Sequence, residues 1–288
     1  MKQTPSIPDW GSRSFIMGIL NITPDSFSGD GLLNQDDLIT KAVDQAIEFV
    51  KAGVDILDIG GESTRPGAEI IDAKEEIKRI VPIIEAISAE IQDTIISVDT
   101  YKSPVAESAI KAGAHWVNDV WGLRADPEMA RFLSKINVPV IIMHNRSDPA
   151  NVITAKSLGG RYTNIQYDDL VADIINDLTI SIEIAHKGGI LDRNIIIDPG
   201  LGFGKTVAQN LELMNNLGKL KSLGYPILVG PSRKSFIGYT LNKPPDERKF
   251  GTAAAVSVCI QKGADIVRVH DVEEMIQVAR MTDAIVRL

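Results

Sequence analysis

Two short strings late in the chain, Ser232-Arg233-Lys234-Ser235 and Arg268-Val269-His270, concentrate cationic and hydroxyl groups. A lysine in such a loop serves as a Schiff-base nucleophile, as a donor to a carbonyl, or as a partner for phosphate, and composition alone leaves these three open. The planar fork of Arg268 suits the paired oxygens of phosphate or carboxylate. Gly61-Glu62-Ser63-Thr64-Arg65-Pro66-Gly67 adds a second guanidinium beside a hydroxyl and a stiffening proline. Asp99, Asn118 and Asp198 each close a short apolar run. Brought together, two carboxylates and an amide match the amino and lactam edge of a flat heterocycle. Asn21, in Asn21-Ile-Thr-Pro-Asp25-Ser-Phe27-Ser, offers an amide oxygen of the kind Mg²⁺ accepts when a diphosphate supplies most of the other ligands.

Other chemistries lack their residues. Asp198-Pro-Gly-Leu-Gly-Phe203-Gly-Lys205-Thr206 is a glycine-rich turn, but a Walker loop ending at Gly204-Lys205-Thr206 requires glycine at 199, where Pro199 stands. No His/Cys set has zinc spacing, and neither a G-x-S-x-G elbow nor a G-x-G-x-x-G after a first strand occurs. His115 opens a strand and so belongs at the end remote from the chemistry. His186 falls on a helix face in solvent. His144 closes an apolar run, yet the sequence gives it no role.

These groups need elements to position them. Apolar runs at 15–22, 56–60, 95–99, 116–120, 138–144, 195–198, 227–230 and 266–270 are separated by stretches with helical periodicity. Helices are expected at 38–51, 74–91, 104–112, 128–135, 168–187, 207–223, 249–262 and 272–286, with Pro82 kinking the second. The run at 195–197 is continuously apolar and that at 95–98 is broken only by the small Ser97, as in parallel strands buried on both faces. Eight βα units predict an α/β fold, a single (β/α)₈ TIM barrel, whose chemistry sits at the C-terminal ends of the strands. The polar ends of the runs then converge although they span the whole chain. Residues 1–14 form an N-terminal tail and 15–288 the barrel domain. Long connections at 23–37, 61–73 and 145–167 are expected to carry lids and substrate contacts.

The bulk properties agree. A length of 288 residues suits one barrel, and 44% hydrophobic with 24% charged residues are globular values. A net charge of −8 argues against a nucleic-acid partner. No apolar run approaches the roughly 20 residues that span a bilayer, and no signal-peptide pattern opens the chain, so a cytoplasmic protein without membrane partners is expected. The one cysteine, Cys259, lies in an apolar stretch as a core residue.

Several strings together resemble the dihydropteroate synthases. Met17-Gly-Ile-Leu-Asn21-Ile-Thr-Pro-Asp25-Ser-Phe27-Ser is similar to the first signature of that family, and Asp58-Ile-Gly-Gly-Glu-Ser-Thr64-Arg65-Pro66-Gly to the second. Ser97-Val-Asp99-Thr, Asn118-Asp119, the 198–205 turn, Ser232-Arg-Lys234-Ser235 and Arg268-Val-His270-Asp271 follow in family order. The resemblance covers about residues 15–288 and implies a pterin-binding barrel acting in folate biosynthesis. Such a transferase joins 6-hydroxymethyl-7,8-dihydropterin diphosphate to p-aminobenzoate and releases diphosphate, by an SN1-like route. Carried over residue by residue, Asp99, Asn118, Asp198 and Lys234 become pterin contacts, with Met143 packing on the ring. Arg268 and His270 meet the diphosphate, with Ser232 in the same loop cluster and Asn21 near Mg²⁺. Thr64, Arg65, Pro66, Phe203 and Ser235 face p-aminobenzoate, and Phe27 and Arg65 ride on closing loops. Arg65, Asp99, Asp198, Lys234 and Arg268 carry the catalysis. A homodimer through helices late in the barrel is also implied. The chain departs from the family at Ser28-Gly29-Asp30-Gly31, where the loop aspartate is shifted by one place, and at Met143-His144-Asn145, where the family has Met-His-Met.

Overall fold

A computed structural model describes residues 8–22, 35–63, 70–155 and 157–287. Eight parallel strands form the barrel: β1 (Phe15–Asn21), β2 (Ile56–Gly60), β3 (Ile95–Asp99), β4 (Trp116–Asp119), β5 (Val140–Met143), β6 (Ile195–Asp198), β7 (Leu228–Val229) and β8 (Ile266–Val269). They pair in sequence order from β1 to β6, with β8 joining β1 to β7. A parallel bridge between Ile197 and Ile227, with Ile197 N–H donating to the Pro226 carbonyl at 2.9 Å, brings β6 to β7 and closes the ring. The expected (β/α)₈ barrel is the observed fold.

The helices are α1 (Gln35–Ala52), α2 (Ala73–Glu90), α3 (Ser103–Ala112), α4 (Pro127–Ile136), α5 (Leu170–Gly188), α6 (Val207–Asn215), α7 (Ser235–Leu241), α8 (Lys249–Gln261) and α9 (Val272–Val286). Side chains start several of them. Asp72 and Asp169 accept backbone N–H bonds at the starts of α2 and α5, and Thr206 with Gln209 forms a capping box on α6. Pro82 lies inside α2 without ending it. The expected helix at 207–223 is divided, with α6 stopping at Asn215 and a 3₁₀ segment, Leu217–Leu223, following. Two elements were not anticipated: α7, and an antiparallel hairpin of Val152–Ala155 with Gly159–Tyr162 inside the long connection after β5.

Two buried apolar clusters result. The larger fills the layer between strands and helices, with Ile59, Ile84, Val98, Ile142, Ile197 and Val267 among its members. The smaller contains Phe15, Met17, Ile56, Ile95, Trp116, Ile141, Ile196, Leu228 and Ile266, with Trp10 packed against it from the N-terminal side. Each barrel strand contributes to this second cluster, so it is the barrel interior. Trp10 sits edge-on to Phe15, 5.5 Å between ring centroids, beneath the strands.

Candidate active site

Strand side chains alternate between two faces with a period of two. Counting two residues on from each member of the interior cluster therefore gives the next interior layer. Ile56 leads to Asp58, Ile95 to Ser97 and then Asp99, Trp116 to Asn118, Ile141 to Met143, Ile196 to Asp198, and Ile266 to Arg268. Phe15 and Met17 lead to Asn21, and Arg268 to His270. The sequence-predicted residues thus share one parity and stand at the C-terminal mouth of the barrel, above an apolar floor. Strand pairing sets Asp99 beside Asn118, Met143 beside Asp198, and Asn21 beside Gly60.

Arg268 is the hub of this layer. Its Nε donates to Asp58 Oδ2 at 2.6 Å and its Nη2 to Asp99 Oδ2 at 2.7 Å. Asn118 Nδ2 donates to the same Asp58 oxygen at 3.0 Å. Asp58 is wholly buried, and sequence reasoning gave it no task. Its position at a polar strand end was the available signal. Burial pushes the Asp99 carboxyl up to about 7 despite Arg268, with Asp58 adding to the rise. Burial also tends to discharge Arg268, but Asp58 and Asp99 outweigh it and hold the guanidinium pKa above its ordinary value.

The 198–205 turn and the 232–235 loop meet across the mouth. Asp198 Oδ1 accepts the Gly200 N–H at 2.7 Å. Burial raises the Asp198 carboxyl against the nearby Lys234. Lys234 Nζ donates to the Leu201 carbonyl and lies 4.5 Å above the Phe203 ring. Burial lowers Lys234 to about 8, although Asp198 favours its charge. Gly202 suits this crossing because its φ of +81° lies in the left-handed region, and a Cβ there would stand 2.8 Å from Lys234 Cδ. Lys234 immediately precedes α7, which Ser235 opens. Ser232 Oγ accepts the His270 N–H at 3.1 Å and lies 3.0 Å from His270 Nδ1, which joins the loops after β7 and β8. Arg233 turns away from the mouth into an ion pair with Asp271.

The Asn21 amide has no hydrogen-bond partner among the described residues, and no group of three or more His, Cys, Asp or Glu side chains among them is arranged for a metal. Phe27, Asp30, Thr64, Arg65 and Pro66 lie outside the described residues.

Residues of the opposite parity face away from the mouth. Asp119 accepts the N–H groups of Trp121 and Leu123 at 2.8 and 3.0 Å and so builds the turn after β4. Burial raises its carboxyl to about 6. His144 is buried behind the mouth, 3.0 Å from Asp177 and 2.9 Å from Lys205 Nζ. Burial and the Lys205 charge lower it to about 3. Asn145, where the chain departs from the family pattern, bonds the Val120 carbonyl and the Ser147 N–H and shapes the start of its loop. His115 lies at the other end of the barrel, its Nδ1 accepting the Ile96 N–H at 3.0 Å.

A sequence model described as pterin binding enzyme matches residues 17–270. A dihydropteroate synthase of Clostridium beijerinckii is 52% identical over 278 residues, which are 96% of each chain. The chain belongs to the dihydropteroate synthases. A dihydropteroate synthase of Clostridium difficile, solved in the presence of pteroic acid, superposes with a TM-score of 0.89 at 46% identity, covering 98% of this chain and 100% of that one. Another, from Xanthomonas albilineans with 4-aminobenzoic acid, gives 0.85 at 38% identity over 95% and 93% of the two chains. A dihydropteroate synthase is a transferase.

Proposed function

We propose that this chain condenses 6-hydroxymethyl-7,8-dihydropterin diphosphate with p-aminobenzoate to give 7,8-dihydropteroate and diphosphate. The observation that carries the reading is the interior layer of Asp99, Asn118 and Asp198, flanked by Lys234 and Arg268, over a buried apolar floor. Asp99 and Asp198 accept from the amino and ring N–H groups of the pterin, Asn118 completes that edge, and Lys234 donates to the ring carbonyl. Met143 packs against the ring face. Arg268 and His270, the latter held by Ser232, meet the diphosphate. Thr64, Arg65, Pro66, Phe203 and Ser235 receive p-aminobenzoate, with Phe27 on the opposite closing loop.

The bond from the pterin methylene to diphosphate oxygen breaks first, and its electron pair leaves with the diphosphate. The pterin ring delocalises the positive charge left on the methylene. Asp99 and Asp198 stabilise that cation, and Arg268 and His270 the departing anion. The neutral aniline nitrogen then attacks, forming the C–N bond and releasing its proton to water. Arg65 holds the p-aminobenzoate carboxylate so that the nitrogen faces the methylene.

The donor set suits Mg²⁺ held by Asn21 and the substrate's own phosphate oxygens, since that ion takes few protein ligands and retains waters. When bound, it neutralises charge building on the leaving diphosphate. The cytoplasm is the proposed compartment; the sole cysteine, Cys259, is unpaired and buried, and no helix among the described residues is long and apolar enough to cross a membrane. A homodimer through α8 and α9 is supported by the exposed apolar residues Phe250, Val258, Met281 and Ile285.

The test is diphosphate release and dihydropteroate formation by the purified chain with both substrates, with Mg²⁺ and with chelator. Product that requires both substrates and the metal is expected. No product at saturating concentrations of both overturns the reading.

A further inference from the structure

The 198–204 turn is wound around the buried amino group of Lys205, whose pKa burial lowers well below the ordinary lysine value although Asp198 favours its charge. Lys205 Nζ lies 2.9 Å from the Gly200 carbonyl, 3.0 Å from the Phe203 carbonyl and 2.9 Å from His144 Nδ1. Two carbonyls and one ring nitrogen thus lie within hydrogen-bond distance of this single nitrogen. His144 then carries its proton on Nε2 and donates it to Asp177 Oδ2 at 3.0 Å, on α5. Asp177 also accepts from Arg146 Nε at 2.7 Å. Asn210 on α6 fixes the far end of the turn, bonding the Lys205 carbonyl at 3.1 Å and the Gly202 N–H at 2.6 Å. The inside of the turn is therefore tied, through Lys205, His144 and Asp177, to a helix outside the barrel.

The outside of the same turn forms one wall of the mouth. Its Leu201 carbonyl accepts from Lys234, and its Phe203 ring lies against the Lys234 ammonium. Asp198 at its start accepts the Gly200 N–H. A buried amino group is costly unless its donors are met, and here each acceptor it takes is part of the turn or of the tie to α5. An apolar residue at 205 would fill the volume without orienting the two carbonyls.

We propose that Lys205 and His144 are positioning residues for pterin diphosphate binding: Lys205 is the internal post of the 198–204 turn, and His144 is the fixed acceptor that ties the post to α5. Neither touches substrate. They act through Leu201 and Phe203 on Lys234, and so on the donor that meets the pterin carbonyl. The inference rests on the synthase reading, which the activity of the parent enzyme tests separately.

The experiment compares Lys205→Met, His144→Asn and His144→Gln with the active parent enzyme. Readouts are pterin diphosphate affinity by calorimetry, p-aminobenzoate KM at saturating pterin diphosphate, and thermal unfolding. An asparagine oxygen can stand where Nδ1 accepts from Lys205, whereas glutamine reaches toward Asp177 and leaves Lys205 one acceptor short. Lys205→Met is expected to bind pterin diphosphate about tenfold more weakly or worse, and to raise the p-aminobenzoate KM as well, because Phe203 lies in the same turn. His144→Asn should bind it more tightly than His144→Gln at matched stability. If Lys205→Met unfolds at lower temperature but keeps pterin diphosphate affinity within twofold, the residue only stabilises the fold and the proposal fails. Should Lys205→Met not fold, the histidine pair decides alone: equal affinities, or the reverse order, overturn it. Condensation activity of the parent alongside such a result leaves the synthase reading intact.

Discussion

Arg268 Nη2 lies 2.7 Å from Asp99 Oδ2, so the residue proposed to meet the leaving diphosphate and one proposed to hold the pterin form one ion pair. The same guanidinium spans to the buried Asp58 at 2.6 Å. Sequence reading assigned these roles to two different parts of one substrate. The structure couples them, because Arg268 cannot move without releasing two carboxylates that shape the pterin floor. Arg268→Lys keeps the charge but loses the fork. It should weaken the pterin diphosphate by about tenfold and also weaken the diphosphate-free pterin measurably. Calorimetry with both ligands checks this. A loss confined to the diphosphate form would mean that Arg268 acts on phosphate alone.

Asp99 gives the site a pH dependence whose sign is fixed. Burial raises its folded-state pKa to about 7, above the unfolded value. The folded protein therefore binds more protons than the unfolded chain between the two, and stability from this group falls as pH rises toward 7 and is level beyond. Asp99→Asn removes the buried charge. Its melting temperature relative to the parent should climb between pH 5 and 8, by roughly 2–4 °C, while pterin affinity drops. A difference in melting temperature that stays constant over this range would show that Asp99 does not titrate there.

Most of the barrel was legible because parallel strands buried on both faces leave short, largely apolar runs, and most of them carry near their end a residue that stands at the mouth. The hairpin at 152–162 was not, because Val-Ile-Thr-Ala and Gly-Gly-Arg-Tyr are four residues each, with two glycines where a strand signal should be. The start of α7 was hidden by attention to Ser232–Ser235 as a loop, and α7 itself has only seven residues. The inward-facing site residues could be picked out by residue type and strand end. Their partners could not: Arg268 to Asp58 spans 210 positions, and Lys205 to His144 spans 61. His144 looked like a site residue because it ends a run, but one step past Met143 it faces the helices.

If Lys234 donates to the pterin as proposed, it sets the alkaline side of binding. Its pKa is lowered to about 8 by burial, and a neutral amine is a weaker donor to the pterin carbonyl. Pterin affinity should fall as pH rises past about 8. Lys234→Arg keeps a donor that does not deprotonate in this range. Whatever its absolute affinity, its profile should stay level between pH 7 and 9.5. A parent-like fall in that variant would assign the limb to another group.

Gly200 is a backbone requirement of the same turn. Its φ of +69° lies in the left-handed region, and a Cβ there would stand 1.9 Å from the His144 carbonyl oxygen. Both effects act together, so Gly200→Ala should cost about 3 kcal/mol or more in urea unfolding. A cost below about 1 kcal/mol would show that the 198–204 turn and β5 separate easily.

Arg248 joins three loops without a carboxylate. Its Nε, Nη1 and Nη2 donate to the carbonyls of Lys243, Arg233 and Leu158, at 3.0, 2.8 and 3.0 Å. The side chain is packed tightly against α7, where a Cβ on Gly238 would fall 2.2 Å from Nη2. Tyr239 on the same helix donates to the Gly159 carbonyl at 3.0 Å, and Arg161 lies over its ring, so the hairpin after β5 docks on the helix that Lys234 precedes. Arg248→Met leaves three carbonyls short of a donor, each loss worth about 1–3 kcal/mol where water cannot replace it. Its unfolding free energy should fall by about 3 kcal/mol or more, and Arg248→Lys, with one point of contact, should recover only part of this. Limited proteolysis should cut first within 151–162 in the methionine variant. Equal stability of the lysine and parent enzymes would show that one contact suffices and that the fork is not what holds the hairpin to α7.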